Sequence, residues 1–329
     1  MITRLPALPL VAVGVSVILW STAYGLSGLV LESASPAVLS IGRFVIALVA
    51  LVPLAIRRGD LRRVLIDPRT ILLGLTGVTG YYSLTNLGLL ATTPGTAAIV
   101  AALLPVLTAV LAWAMLRERV SGRTVIGLVL ATAGVAVAAA SGLTIDAGFV
   151  LCVVAVASYA VYTVLLRRDA ERPGAPDALT LATGTAIWGT VLMLPWLAVE
   201  GVLGAAHLPT GVGGWGALAF LGVVVTAPTM VLFNYGAERL PATVSGVLTA
   251  GIPALGYAMA LLLGEAFDLV RALGGAIALV GIVVATSSSP RIEPSPPGSA
   301  LPAPADTAPI ETIRDLPIEP AADPAGEPE

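Results

Sequence analysis

Apolar runs of about twenty residues, each bounded by charge, proline or glycine, recur ten times along this chain. They cover residues 11–31, 36–56, 70–90, 95–116, 123–141, 147–166, 178–199, 212–235, 242–263 and 269–287. Twenty helical residues at 1.5 Å each span about 30 Å, the thickness of a bilayer's hydrocarbon core. The pattern therefore predicts an all-α integral membrane protein with ten transmembrane helices. The first run, preceded by Arg4 and followed by Ser33-Ala34-Ser35, could instead be a signal peptide, but it is longer than the usual h-region, so a spanning helix is expected.

The runs are not independent. Pro94, Glu118, Gly127 and Gly134 reappear 147 positions later as Pro241, Glu265, Gly274 and Gly281, and Pro105 is answered by Pro253, one residue out of step. The chain thus reads as two five-helix repeats, 1–143 and 144–287. Five is odd, so the second copy enters the membrane from the opposite side and the repeats are inverted. Such a plan allows two nearly equivalent packings, open to either side of a central site, which is the physical signature of a transporter. Small residues at helical spacing, Gly74 with Val78, Gly184 with Trp188 and Gly189, and Gly127 with Ala131 and Gly134, are expected to let helices approach closely.

Composition supports the membrane reading: mean hydropathy is +0.95, with 57% hydrophobic and only 11% charged residues, against about a quarter charged in soluble domains. The net charge of −3 mixes two regions. Residues 1–287 hold 15 Arg against 12 acids, whereas 288–329 hold 2 Arg, eight acids and eleven prolines. That tail lacks an apolar face and is expected to be disordered and cytoplasmic. All 17 basic residues are arginine, and 15 of them fall in segments that are inner if the N-terminus is inside. The asymmetry predicts a multi-pass protein of the cytoplasmic membrane with both termini cytoplasmic. Nothing in the charge pattern predicts nucleic-acid binding.

Polar and aromatic side chains deep within the runs mark a candidate cavity. Trp20 and Tyr24, Tyr82 and Asn86, and Ser158 and Tyr162 are i, i+4 pairs, so each pair shares one helix face, and such a face is costly against lipid. Tyr159, Trp188, Thr229, Asn234 and Tyr257 are further candidates. For any single aromatic, core filling or interfacial anchoring is an equal alternative. Arg43 lies about 10 Å into the second run. It is expected either to receive a substrate carboxylate or pin a gate, or to snorkel outward or bond helix-end carbonyls. Pro105 and Pro253 fall near mid-run and are expected to break their helices near the site. Glu118 and Glu265 sit at run ends, where pairing with Arg117, Arg119 or Arg271 is expected.

The elements Gly88-Leu89, Thr92, Ala97-Ala98, Pro105, Leu116-Arg117-Glu118-Arg119, Gly127 and Gly134, with Pro253, Gly264-Glu265, Gly274 and Gly281, resemble the EamA-like branch of the drug/metabolite transporter superfamily. Trp20-Ser21 and Gly42-Arg43-Phe44 stand where that family commonly has Trp-Gly and an Arg-Phe pair, Ser21 being a departure. The resemblance covers residues 10–287. It implies a ten-helix exporter of small metabolites, such as amino acids or drug-like compounds, working by alternating access.

The lone Cys152 rules out an internal disulfide, and neither a metal site nor a cofactor is expected. With no GxxxxGK[ST] loop, ATP-driven transport by this chain alone is excluded. No acid falls mid-run, so proton coupling would need another group, and facilitated diffusion stays open. His207 is expected in an outer loop. A small-molecule substrate and the lipid bilayer are the expected partners of a monomer, with a dimer open. A flippase-type lipid-handling subunit, an intramembrane enzyme and a sensor are the competing readings. One histidine, one cysteine and no central acids leave little from which to build an enzyme.

Overall fold

The computed structural model describes residues 6–92, 97, 100–118, 121–139, 146–252, 254–255 and 267–286. Pro94, Pro253, Tyr257, Glu265 and the 288–329 tail lie outside the described residues. Among the described residues the main helices are α1 (Ala7–Leu31, interrupted at Thr22), α2 (Pro36–Arg58), the short α3 (Leu61–Ile66) and α4 (consecutive segments Pro68–Gly74, Leu75–Ser83 and Leu84–Gly88); then α5 (Leu104–Leu116), α6 (Gly122–Ala139), α7 (Ala147–Ala170) and α8 (Ala178–Val202); and finally α9 (Gly211–Ala237), α10 (Ala242–Thr249) and α11 (Leu269–Thr286). The described residues contain no strand. Of these helices α1, α2, α7, α8 and α9 are long and apolar enough to cross a membrane, and Leu104–Leu116, Gly122–Gly134 and Ala272–Ala285 are shorter apolar helices.

The distribution of polarity is that of a protein in lipid. Large apolar side chains such as Val49, Leu72, Val110, Val129 and Val154 face outward, while Ser16, Ser40, Thr108, Thr183, Thr185, Thr226, Asn234, Ser245 and Thr249 are buried. Many buried hydroxyls, including those of Ser16, Ser40, Thr163 and Thr190, donate to the carbonyl one turn back, satisfying themselves without a second helix.

Close helix approach is bought with glycine. The Gly74–Val78 stripe of α4 packs on Trp188 and Gly189 of α8, where an added Cβ at Gly74 would meet the Gly189 amide nitrogen at 2.8 Å. In the contact between α6 and α11, a Cβ at Gly127 would overlap Ala285 and the Gly281 carbonyl, and one at Gly134 would overlap Ala278 and the Gly274 carbonyl. Numbering rises along one helix as it falls along the other, so the two run antiparallel. Other main contacts join α1 to α9, α2 to α8, α4 to α7, and α5 to both α7 and α10.

Acidic side chains cap helix N-termini, where orphan amides and the positive end of the dipole favour them. Asp146 accepts from Phe149 N at 2.8 Å, Asp177 from Leu179 N at 3.1 Å, and Glu200 reaches across to Ala37 N of α2 at 3.2 Å. Glu118 belongs to this group: its oxygens accept from Ala242 N (3.0 Å), Thr243 N (3.3 Å) and Thr243 Oγ1 (3.1 Å) of α10. Arg117 turns into the left-handed region (φ 55°) and ends α5 directly before Glu118; Arg119 and the Arg271 side chain, two of the expected partners, lie outside the described residues. Pro105, expected near mid-helix, sits in the first turn of α5, directly after a 3-10 turn at Ala101–Leu103; its missing N–H falls where α-helical bonding restarts.

Candidate functional site

Five helices meet in a cluster of aromatic rings. α1 is interrupted between Trp20 and Tyr24, where Ser21 Oγ donates to Ile18 O (2.6 Å) and Thr22 Oγ1 to Leu19 O (2.8 Å), the back-bonding that bends helices. α4 widens into a π-helical stretch at Leu75–Ser83 that presents the neighbours Tyr81 and Tyr82 to the cluster. Glycines in that stretch make room for α7: an added Cβ at Gly77 would overlap the Tyr162 ring, and one at Gly80 would overlap the Ser158 hydroxyl.

Tyr159 of α7 is the hub. Its ring centroid lies 5.7 Å from Trp20, 4.8 Å from Tyr81, 5.2 Å from Tyr162 and 5.6 Å from Phe233. Trp20 and Phe233 are 5.0 Å apart, and Tyr82 makes edge contacts with Tyr81 (5.0 Å) and Phe44 (4.8 Å). The Tyr24 and Tyr81 hydroxyls hydrogen-bond at 2.9 Å. Tyr162 donates its hydroxyl to Asn234 Oδ1, and the Asn234 amide nitrogen is left without a partner.

Arg43 enters this cluster from α2. It is 2% exposed, its guanidinium carbon lies 4.6 Å from the Tyr82 ring centroid, and Nε donates to Thr226 Oγ1 at 2.9 Å. Thr226 ends a second π-helical stretch, Leu221–Thr226 of α9, in which Gly222 allows the Arg43 backbone to come close. Nη2 of Arg43 is buried and has no hydrogen-bond partner. The ion pairs found among the described residues belong to Arg69, Arg167, Arg172 and Arg239, not to Arg43.

The structure thus brings together Trp20, Tyr24, Arg43, Tyr82, Tyr159, Tyr162 and Asn234. It commits four other candidates elsewhere. Ser158 donates to Thr76 O (2.8 Å) in the α4–α7 contact, Trp188 Nε1 to Leu65 O (2.9 Å), and Asn86 Nδ2 to Ser40 Oγ (2.7 Å). Thr229 turns its hydroxyl back onto Val225 O within α9. Tyr81, Phe44, Phe233 and Thr226 were missed by the i, i+4 rule, which assumes 3.6 residues per turn; the clue was the Tyr-Tyr pair in a Gly- and Thr-rich run. Immediately past Tyr24, a cleft of about 480 Å³ opens between the ends of α1 and α4, lined by Gly25, Gly28, Leu29, Glu32, Leu89 and Leu90 among others.

An apolar exterior around a polar aromatic centre defines the class: a multi-pass helical membrane protein. The chain belongs to the EamA-like transporter family, whose model matches residues 8–140 and again 146–287. It is a transporter and not an enzyme. A relative from Streptantibioticus cattleyicolor, named "Probable terminal-alkyne amino-acid exporter", is 30% identical over 283 residues, 83% of this chain and 91% of that one. The "Uncharacterized transporter YyaM" of Bacillus subtilis is 26% identical over 66% of this chain and 72% of its own length. A solved crystal structure shares the fold with a TM-score of 0.73 at 23% identity, covering 87% of this chain and 98% of that one.

Proposed function

We propose that this protein exports small metabolites, amino acids or drug-like amphipathic compounds, by alternating access between two inverted five-helix repeats, 1–143 and 144–287. Its setting is the cytoplasmic membrane, with both termini on the cytoplasmic side. The observation that carries this reading is the α6–α11 contact. Under a two-fold axis lying in the membrane plane, a contact between one residue and another's counterpart implies the reciprocal contact. Gly127 meets Gly281, the counterpart of Gly134, and Gly134 meets Gly274, the counterpart of Gly127, on antiparallel helices. The pairs α1 with α9 and α4 with α7 are exchanged by the same operation, and the two π-helical stretches fall at nearly equivalent positions. The aromatic cluster is gathered from both halves, where alternating access places a substrate.

The exporter named among the relatives supports the outward direction and the amino-acid class. Trp20, Tyr24, Arg43, Tyr82, Tyr159, Tyr162 and Asn234 would contact substrate. The cleft beyond Tyr24 would be its path. The test is flux in proteoliposomes across amino acids, organic cations and organic anions, with and without a pH gradient. Substrate-dependent flux is expected; a folded, monodisperse protein that moves none of them would overturn the proposal.

A further inference from the structure

We infer that the Arg43 guanidinium, with the Tyr24, Tyr81 and Tyr82 side chains beside it, is a seat for a carboxylate, so that the transported compounds are carboxylate-bearing and amphipathic. This rests on the exporter reading and narrows it. Three observations lead there. Arg43 is a buried cation: of its nitrogens Nε is held by a neutral hydroxyl, Nη2 donates to nothing, and no carboxylate among the described residues pairs with it. A charge without a counter-ion at such a depth is expensive, and the ring of Tyr82 and the hydroxyl of Thr226 offset less of that expense than an anion would. The groups around Arg43 are of the right kind to share that anion: the guanidinium lies over the Tyr82 ring, Tyr81 packs edge-on against Tyr82, and the Tyr81 and Tyr24 hydroxyls meet each other; a phenol O–H donates to a carboxylate oxygen. The guanidinium is already oriented, Nε fixed by Thr226 and one face on the Tyr82 ring, which leaves Nη2 as a buried donor for a carboxylate oxygen.

The rest of the cluster defines the remainder of the ligand. Trp20, Tyr159 and Phe233 present ring faces and edges to an apolar portion. An ammonium group would find ring faces rather than an acid, since none of the cluster's described residues is an Asp or Glu. Both α-amino acids with apolar side chains and simple amphipathic acids satisfy these requirements. Amines and amides of the same skeleton do not.

The discriminating measurement is uptake and counterflow in proteoliposomes of the full chain, using L-phenylalanine, 3-phenylpropionate, phenylalaninamide and phenethylamine, with the aliphatic series built on L-norvaline beside them. The two carboxylate-bearing members of a series are expected to move and to compete with each other, and the amide and amine to do neither. Arg43→Gln is expected to lower carboxylate flux about ten- to hundredfold, the worth of one charge-assisted bond, with Arg43→Lys between. Should Arg43→Gln not fold, the wild-type competition series and Tyr24→Phe with Tyr81→Phe test the same seat, the double variant raising the KM for acids severalfold. Amine or amide flux equal to that of the acid, or undiminished acid flux in folded Arg43→Gln, would refute the carboxylate seat while leaving the exporter standing. Absence of flux for every compound in the wider panel would instead remove the exporter reading itself.

Discussion

Glu238 shows how a single residue at the edge of the membrane carries a cost that pH can reveal. It follows the last turn of α9, is 8% exposed, and its Oε1 has no partner. Burial raises its carboxyl to about 7; Arg239, bonded to Oε2 at 3.0 Å, opposes the rise, and Asp177 adds to it. Arg167 donates to the Glu238 carbonyl (2.6 Å). Because the folded state holds the proton more tightly than the unfolded chain, stability is greatest at low pH and falls as pH rises from about 4.5 through 7. Glu238→Gln removes that dependence, which amounts to at most about 3 kcal/mol. Melting of the purified protein between pH 5 and 8 should show the wild type losing ground to the variant; parallel curves would contradict it. Tyr162→Phe is expected to cost about 1–3 kcal/mol, since it strands the buried Asn234 amide, and chemical denaturation measures it.

At the scale of the helix, glycine and acidic caps decide how closely elements meet. Gly127→Ala places a methyl against the backbone of α11, where no side chain can move aside, and should destabilise by about 1–3 kcal/mol. Gly14→Ala in α1 meets nothing within 4 Å and should be neutral or slightly stabilising. Equal melting temperatures for the two variants would show that the α6–α11 contact does not depend on that glycine. Glu118→Ala uncaps α10 and should cost about 1 kcal/mol, measured the same way. The stripes responsible for these contacts were legible in the sequence, because small residues at helical spacing mean the same thing in any helix. The π-helical turns were not. A turn of that kind is a local choice among backbone hydrogen bonds, and the packing of Tyr162 and Ser158 on Gly77 and Gly80 decides it.

At the scale of the whole molecule, the arginine distribution sets the expected orientation. Reporter fusions in the Arg57–Arg69 loop should read cytoplasmic and those at Asp146 extracytoplasmic; the reverse would overturn the orientation drawn from arginine. Reading the chain in order predicted spans, a repeat and a polar interior, because hydropathy is additive along the chain and an odd-membered repeat has a fixed topological consequence. It selected most of the residues that now sit around Tyr159. It also selected Ser158, Trp188 and Asn86, whose polar groups turn out to be consumed by Thr76, Leu65 and Ser40.

What the sequence determined by itself is therefore the helical membrane character and the family, both of which follow from residue type and spacing. Only the tertiary structure decided which polar groups satisfy one another and which are left over. That is a question of partners brought together from distant helices. Nothing in the order of residues says that Thr226 takes Nε of Arg43 and leaves Nη2 free, or that Glu118 reaches the N-terminus of α10.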